Sequence, residues 1–412
     1  MKLKINKKYI WINLLTVYLL FKHALEVNTA NGLHVVISYS DESFTIVSIV
    51  YIIFAFAIHK KIPLFIRPAF VSWLCLIIIG IISTLIFRIQ PLFTDLIDLL
   101  ACSKFFAFFI AFSIYWENHT DYNWLIRINS IIRIIVIILS ILLFINIFIV
   151  QLFPIADFRF GINSQQLFFG HPANLADVGL YSFVILLVNQ SKNRNNIFFM
   201  LFASLIVITT MRDKQIAALT LGWISYIYFY KFNLRSKIFL LVISVLGAFY
   251  IGYDSLDLYY GNNSIETARG AMTTTGIDIA NQIFPLGYGF GSFGSGASVN
   301  PYSQLYYKYN LSQIYGLSPL NLSNLNFAND AFWPVVFGQF GWLGFAVIIY
   351  FFLYLIKQCF KIRKNVLILC GALSLVIYIF IATFGTNSIF NDTFMINALL
   401  LSYMFTYYQE KI

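Results

Sequence analysis

The sequence predicts an all-α polytopic integral membrane protein, with about twelve transmembrane helices and one large extracytoplasmic loop. Three observations carry that expectation. The 412 residues are 60% hydrophobic and only 11% charged, with a mean hydropathy of +0.79. Water-soluble domains carry about 25% charged residues, so a soluble fold is excluded. Apolar runs long enough to cross a bilayer as helices recur along the chain. Those runs are continuous, without the alternation of a membrane barrel strand.

Taken in order, the chain begins with Lys2, Lys4, Lys7 and Lys8 ahead of its first apolar run. No small-residue cleavage site follows, so an uncleaved signal-anchor is expected rather than a signal peptide. Spans are predicted near 9–27, 43–58, 69–87, 92–116, 129–153, 173–190, 196–210, 215–231, 238–253, 331–356, 366–384 and 391–408. They divide the chain into 1–253, which holds nine spans with short loops, a large loop at 254–330, and three final spans in 331–412. No internal repeat, low-complexity tract or soluble domain interrupts this plan.

Charge placement sets the orientation. With a cytoplasmic N-terminus, most of the 27 lysines and arginines fall on inside segments, among them Lys60, Lys61, Lys192, Lys361 and Lys364. Only Arg88, Arg159, Arg212, Lys214, Arg269 and Lys308 fall outside. The positive-inside rule then puts both termini in the cytoplasm and the large loop on the opposite side. It also accounts for the net charge of +10, so the bilayer is the implied partner and no nucleic acid is expected. Cys75, Cys102, Cys359 and Cys370 lie away from the loop and form no CxxC pair, which argues against a disulfide framework or a zinc site. No DxD, HExxH or P-loop pattern lies outside, so no metal and no nucleotide cofactor is expected.

The outside cations oppose the topological bias, and each needs a reason to be there. Arg159, Arg212, Lys214 and Arg269 suit a pyrophosphate, because guanidinium donates paired hydrogen bonds to phosphate oxygens and stays charged. The alternative is local pairing: Arg159 with Asp157, Arg212 with Asp213, Arg269 with Glu266. His171, before Pro172, is either a helix-entry residue or a base. Asp330, where the loop re-enters the membrane, is either an N-cap or a carboxylate that accepts a hydroxyl proton. The turn 285–294, with Gly287, Gly289, Gly291 and Gly294, contains GxGxxG but no strand precedes it. Its glycines imply close backbone approach to a ligand or to another segment. Tyr302, Tyr306, Tyr307, Tyr309 and Tyr315 are candidates for stacking on sugars or anchoring at an interface. Asp95, Asp98 and Lys104 in the fourth span, and Lys22, His23 and Glu26 closing the first, are intramembrane suspects. Asp98 and Lys104 are six apart, too far for an i,i+4 pair, and would pair across helices or line a groove.

Four motifs in this order resemble the bacterial O-antigen and capsular polysaccharide polymerases, which share an architecture with the O-antigen ligases. Arg159-Phe-Gly161 with His171-Pro-Ala-Asn174 is similar to the family's RxxG…HPN approach to a span. Thr209-Thr-Met-Arg212 resembles its TxSR span end, with methionine in place of serine. Arg269 and Pro285-Leu-Gly-Tyr-Gly-Phe-Gly291 resemble the large loop's arginine and PLxGxG turn. Asn329-Asp330 with Phe337-Gly-Gln-Phe-Gly-Trp-Leu-Gly344 resembles the HN…ExGxxG re-entry. The resemblance covers roughly 155–345 and the span count. It departs from the ligases at Asp330, near where they have histidine, and at Gln339, where glutamate is common; both favour the polymerase.

The resemblance implies a glycosyltransferase at the outer face of the bacterial inner membrane. It would move a growing glycan from undecaprenyl pyrophosphate onto an incoming lipid-linked repeat unit, without a metal. Arg212, Arg269, Arg159 and Lys214 would hold the pyrophosphate, Asp330 would be the base, and His171 its reserve. The pathway's chain-length regulator and flippase would be partners. The rivals are a ligase and a lipid-linked oligosaccharide flippase or other transporter, the latter expected to show internal repeats.

Overall fold

The computed structural model describes residues 10–58, 60–119, 124–159, 161–230, 267–320, 327–362 and 364–409. The described chain is mainly helical, and its one sheet is a two-stranded hairpin. Six helices are long and apolar enough to cross a membrane by length and composition: Ile10–Asn28, Ser40–Ala57, Leu64–Phe87, Leu92–Glu117, Trp124–Phe148 and Phe332–Lys361. Pro172–Val188, Asn196–Thr209 and Val366–Ala382 are shorter apolar helices. The ninth predicted span, 238–253, and the loop stretches 254–266 and 321–326 lie outside the described residues.

In chain order the helices are α1 (Ile10–Asn28), α2 (Asn31–Ser38), α3 (Ser40–Ala57), α4 (Arg67–Phe87), α5 (Leu92–Glu117) and α6 (Trp124–Phe148). The hairpin β1 (Ile155–Arg159) and β2 (Ile162–Gln165) follows. Then come α7 (Pro172–Val188), α8 (Asn196–Thr209), α9 (Asp213–Tyr230), α10 (Ala268–Gln282) and the short α11 (Gln304–Lys308). A broken helix, α12 (Phe332–Val335) and α13 (Gly341–Lys361), leads to α14 (Val366–Ala382) and α15 (Met395–Gln409). Two boundaries differ from expectation. The segment 31–38, expected to be loop, folds as α2, and the helix of the fifth predicted span sits five residues earlier than 129–153, because Asn146 accepts the Phe153 N–H and turns the chain into the hairpin.

α5 is the axis of the bundle. Of its apolar stretch 78% is buried, against 28% for α1 and α3 and 33% for α4 and α6. Its Phe105–Phe112 run packs inward on all sides, as a helix hydrophobic all round must. α3, α4 and α15 pack along it, while α9 lies along α14 and α7 against α8. The outer faces of α4 and α6 present Ile78, Ile82, Ile134, Ile138 and Ile141 to the surroundings. Apolar patches of that extent mark a surface made for lipid rather than water.

The tenth span does not run straight. A π turn over Val336–Phe340 and Gly341, at φ +65, separate its two helical parts. Such turns recur at functional sites. α10 packs on this break: a Cβ on Gly276 would stand 3.3 Å from Pro334, and Trp342 Nε1 donates to Asn281 at 2.9 Å.

Candidate functional site

Five separate stretches carry the polar candidates, and the fold gathers them at one end of the bundle. Asp157 and Arg159 sit on the hairpin, whose strand β2 is pinned to α8 by the Ser164 hydroxyl donating to Thr210 O at 2.6 Å. The chain then reverses through Met211 at φ +50, a left-handed conformation unusual for a residue other than glycine. That reversal brings Arg212 back over the hairpin. Arg212 Nη2 lies 3.2 Å from Asp157 and Arg159 Nε lies 2.8 Å from it, so one carboxylate is shared by two guanidiniums. Burial by itself would raise the Asp157 carboxyl, but the Arg159 hydrogen bond and the Arg212 charge hold it below the usual range. Arg212 is only 12% exposed, and its Nε is buried without a hydrogen-bond partner among the described residues. Arg212 thus has a long-range partner in Asp157, while it also feels the charge of the expected local partner Asp213.

Arg269 opens α10, whose start is fixed by the Thr267 hydroxyl accepting from Gly270 N at 3.2 Å. It faces Asp330 at 3.8 Å, an ion pair beyond hydrogen-bond reach; Glu266, its expected local partner, lies outside the described residues. Asp330 does not cap the helix it precedes, because Ala331 takes the N-cap position. The Asp330 side chain is 44% exposed, so its desolvation is partial, but it still raises the carboxyl above the ordinary range against the opposing charges of Arg269 and Lys214. Lys214 joins both pairs. Its ammonium donates to Gly385 O at 3.0 Å and feels the charges of Asp177, Arg269, Asp330 and Arg212.

His171 is the N-cap of α7, and its Nδ1 accepts from Ala173 N at 3.2 Å. Partial desolvation and the charges of Arg212 and Lys214 lower its pKa to about 4. The ring is therefore neutral at physiological pH, with its proton on Nε2 by the hydrogen bond Nδ1 accepts. It can donate to an anion, whereas neither nitrogen is left to accept a proton while the cap is made.

The glycine turn has a structural role. Tyr288 N donates to Gly338 O (2.8 Å), Gly289 N to Gln339 O (3.0 Å), Phe290 N to Thr84 Oγ1 (2.9 Å) and Gly291 N to Asp98 Oδ2 (2.7 Å). Four successive donors are thus spent on protein acceptors, and none is free to cradle a phosphate. A Cβ on Gly287 would stand 2.3 Å from the Gln339 carbonyl carbon, and Gly289, at φ +91, abuts the Thr84 backbone. The turn is a wedge between α4, α5 and the broken helix. Gln339 donates to Phe293 O at 3.0 Å from full burial, which an ionised glutamate could not do.

The tyrosines divide. Tyr306 is buried and accepts from Gly294 N at 3.0 Å, Tyr302 donates to Leu317 O at 2.7 Å, and Tyr309 donates to Gln282 at 2.8 Å. With Tyr288, Phe293, Leu305 and Leu311 they form a second hydrophobic core over the bundle end. Tyr307 and Tyr315 stay exposed, at 55% and 68%, each packed edgewise on one neighbour, Tyr302 and Phe327.

Beneath this end lie charges the sequence signalled less fully. Lys22 of α1 pairs with Asp41 of α3 at 2.6 Å and with Asp392. Lys104 pairs with Asp41 and, at 2.7 Å, with Glu42. Asp98 and Lys104 thus find partners on other elements. Asp177 of α7 accepts from Gln215 at 2.9 Å and from Tyr378, directly below Lys214's ring of charges. Asp177 escaped the sequence reading, although a lone acid inside an apolar run six residues after His171 was the signal for it.

No protein-family model matches the chain, and no curated protein matches it.

Proposed function

We propose that the chain is a membrane glycosyltransferase of the polysaccharide-polymerase type, acting at the outer face of a bacterial inner membrane. The single observation that carries the reading is the gathering of three cations and a carboxylate from three distant stretches: Lys214 feels the charges of Arg212, Arg269 and Asp330, and Arg269 faces Asp330 at 3.8 Å. A lipid-linked glycan pyrophosphate is the ligand that this set fits. Its bridge carries two adjacent charged phosphates, and guanidiniums bind such oxygens in parallel pairs.

In the proposed reaction the hydroxyl of an incoming lipid-linked sugar attacks the anomeric carbon of the growing glycan. The new C–O bond forms as the bond to pyrophosphate breaks, and the leaving group takes the electron pair. Asp330, its pKa raised by burial, takes the hydroxyl proton. Arg269, held to Asp330 only at 3.8 Å, exchanges that contact for the phosphate oxygens. Arg212 offers its buried, unsatisfied Nε, and Lys214 adds charge between them. Neutral His171 donates from Nε2, and the exposed rings of Tyr307 and Tyr315 stack on sugars. Charge placed in advance where it develops is the main rate term for such a displacement.

Deleting the protein from its host tests the class. The expected result is single repeat units on the glycan acceptor and no long chains. Full-length glycan stranded on the lipid would establish the ligase instead, and repeat units held on the cytoplasmic face the flippase.

A further inference from the structure

The opposite end of the bundle holds a cavity of about 370 Å³ between the ends of α7, α13 and α15 and the starts of α6 and α14. Lys192, Lys361 and Lys364 line it, together with Tyr403, Tyr407 and Ile368. Among the described residues no aspartate or glutamate lines it. All three lysines are exposed, and among the described residues none pairs with a carboxylate. The rest of the wall is mixed, with Asn189, Ser191 and Asn365 beside an apolar side of Leu125, Val188 and Ile368, where Tyr403 and Tyr407 stack at 5.7 Å with 11° between their planes. A cavity of this size takes a small ligand or a headgroup, and an uncompensated triad of ammoniums over an apolar wall selects an anion with an apolar attachment.

We propose that this cavity binds a phosphate-bearing anionic group at the membrane surface, through Lys192, Lys361 and Lys364. Basic pockets between spanning helices at the positive-inside face bind acidic lipid headgroups in this way. The site is independent of the chemistry assigned to Arg212 and Arg269, which lie at the other end of the bundle. The phosphate comes either from an acidic phospholipid, whose chains lie against Ile368 and the tyrosine pair, or from a soluble phosphate compound.

The test is the thermal unfolding midpoint of the purified full chain, titrated separately with short-chain phosphatidylglycerol, short-chain phosphatidylcholine and inorganic phosphate. Ligand that binds only the folded state raises the midpoint. The expected result is a rise with phosphatidylglycerol at concentrations where phosphatidylcholine has none. K192Q/K361Q/K364Q should need on the order of a hundredfold more of it, while K192R/K361R/K364R and Arg212→Ala should respond as the unmodified chain does. An equal rise with inorganic phosphate that persists in Arg212→Ala and is lost in K192Q/K361Q/K364Q would support the site and make its ligand soluble. Equal responses to the two lipids with none to phosphate would overturn the proposal, as would an unchanged response in the triple glutamine variant.

Discussion

The two ends of the bundle handle positive charge in opposite ways. At the hairpin end Arg159 and Arg212 share Asp157, Arg269 faces Asp330, and Lys214 stands over Asp177. At the other end Lys192, Lys361 and Lys364 line a cavity with no carboxylate among the described residues. Burial explains the contrast. A partly buried cation needs a compensating anion, since desolvation otherwise costs more than the fold returns. An exposed lysine needs none. The site's cations are therefore built: Arg159 pairs within its own strand, while Arg212 and Arg269 take counter-ions positioned by distant elements, whereas the lysines at the other end are exposed. A compensated cation can trade its carboxylate for phosphate. An uncompensated one can only recruit an anion from outside.

That contrast can be broken by mutation. Arg212→Ala and Arg269→Ala should each lower polymer formation by about 10²–10³-fold, the cost of losing a positioned charge donor, with protein abundance unchanged. Abundant long-chain polymer in both variants would remove the pyrophosphate assignment. The lysine-end triple variant should leave polymer length and yield as they are, measured on the same gels.

Asp330→Asn should lower turnover by about 10²–10⁴-fold. In the unmodified protein the rate falls as pH drops through the Asp330 pKa, which lies above the ordinary carboxylate range, because protonation removes the base. The residual rate of the asparagine variant should lose that acidic limb. An identical pH–rate profile in the two proteins would leave Asp330 with a structural role alone.

Gly287→Ala should act on stability rather than on chemistry, since its Cβ would meet the Gln339 backbone at 2.3 Å. The expected result is a lower unfolding midpoint and less folded protein. The smallest effect is expected at His171. His171→Ala loses a helix cap worth about 1 kcal/mol, and His171→Asn restores it. His171 charges only as pH falls from about 6.5, its ordinary value, towards about 4. Its neutral-state stability is therefore complete above that window and is lost within it. No inflection from His171 should appear near pH 6.5 in the folded protein.

Much of the helical framework was legible in the sequence, because a helix is specified by the residues it contains. Helices occupy the predicted segments at α1, α3–α5, α7–α9, α14 and α15 to within about four residues, α6 lies five residues early, and the segment from 331 is broken before α13; six of the described helices are long and apolar enough to cross a membrane. The wedge was half legible. Four glycines in ten residues called for close backbone approach, but not for Gln339 and Thr84 as the surfaces approached. The tyrosine run was legible only as composition. Which rings build the second core and which face outward depends on Gly294, Leu317 and Gln282 as partners, and none of those contacts has a local signature.

The sequence by itself determined where the apolar helices lie, which segments carry the basic excess, and which few cations oppose it. These follow from hydropathy and charge, properties of each residue in place. The tertiary structure decided the pairings: Arg212 with Asp157 across 55 residues, Arg269 with Asp330 across 61, and Lys22 with Asp392 across 370. Counter-ions for buried charges are chosen by proximity in the folded bundle, and proximity between distant helices is set by packing around α5 rather than by spacing along the chain.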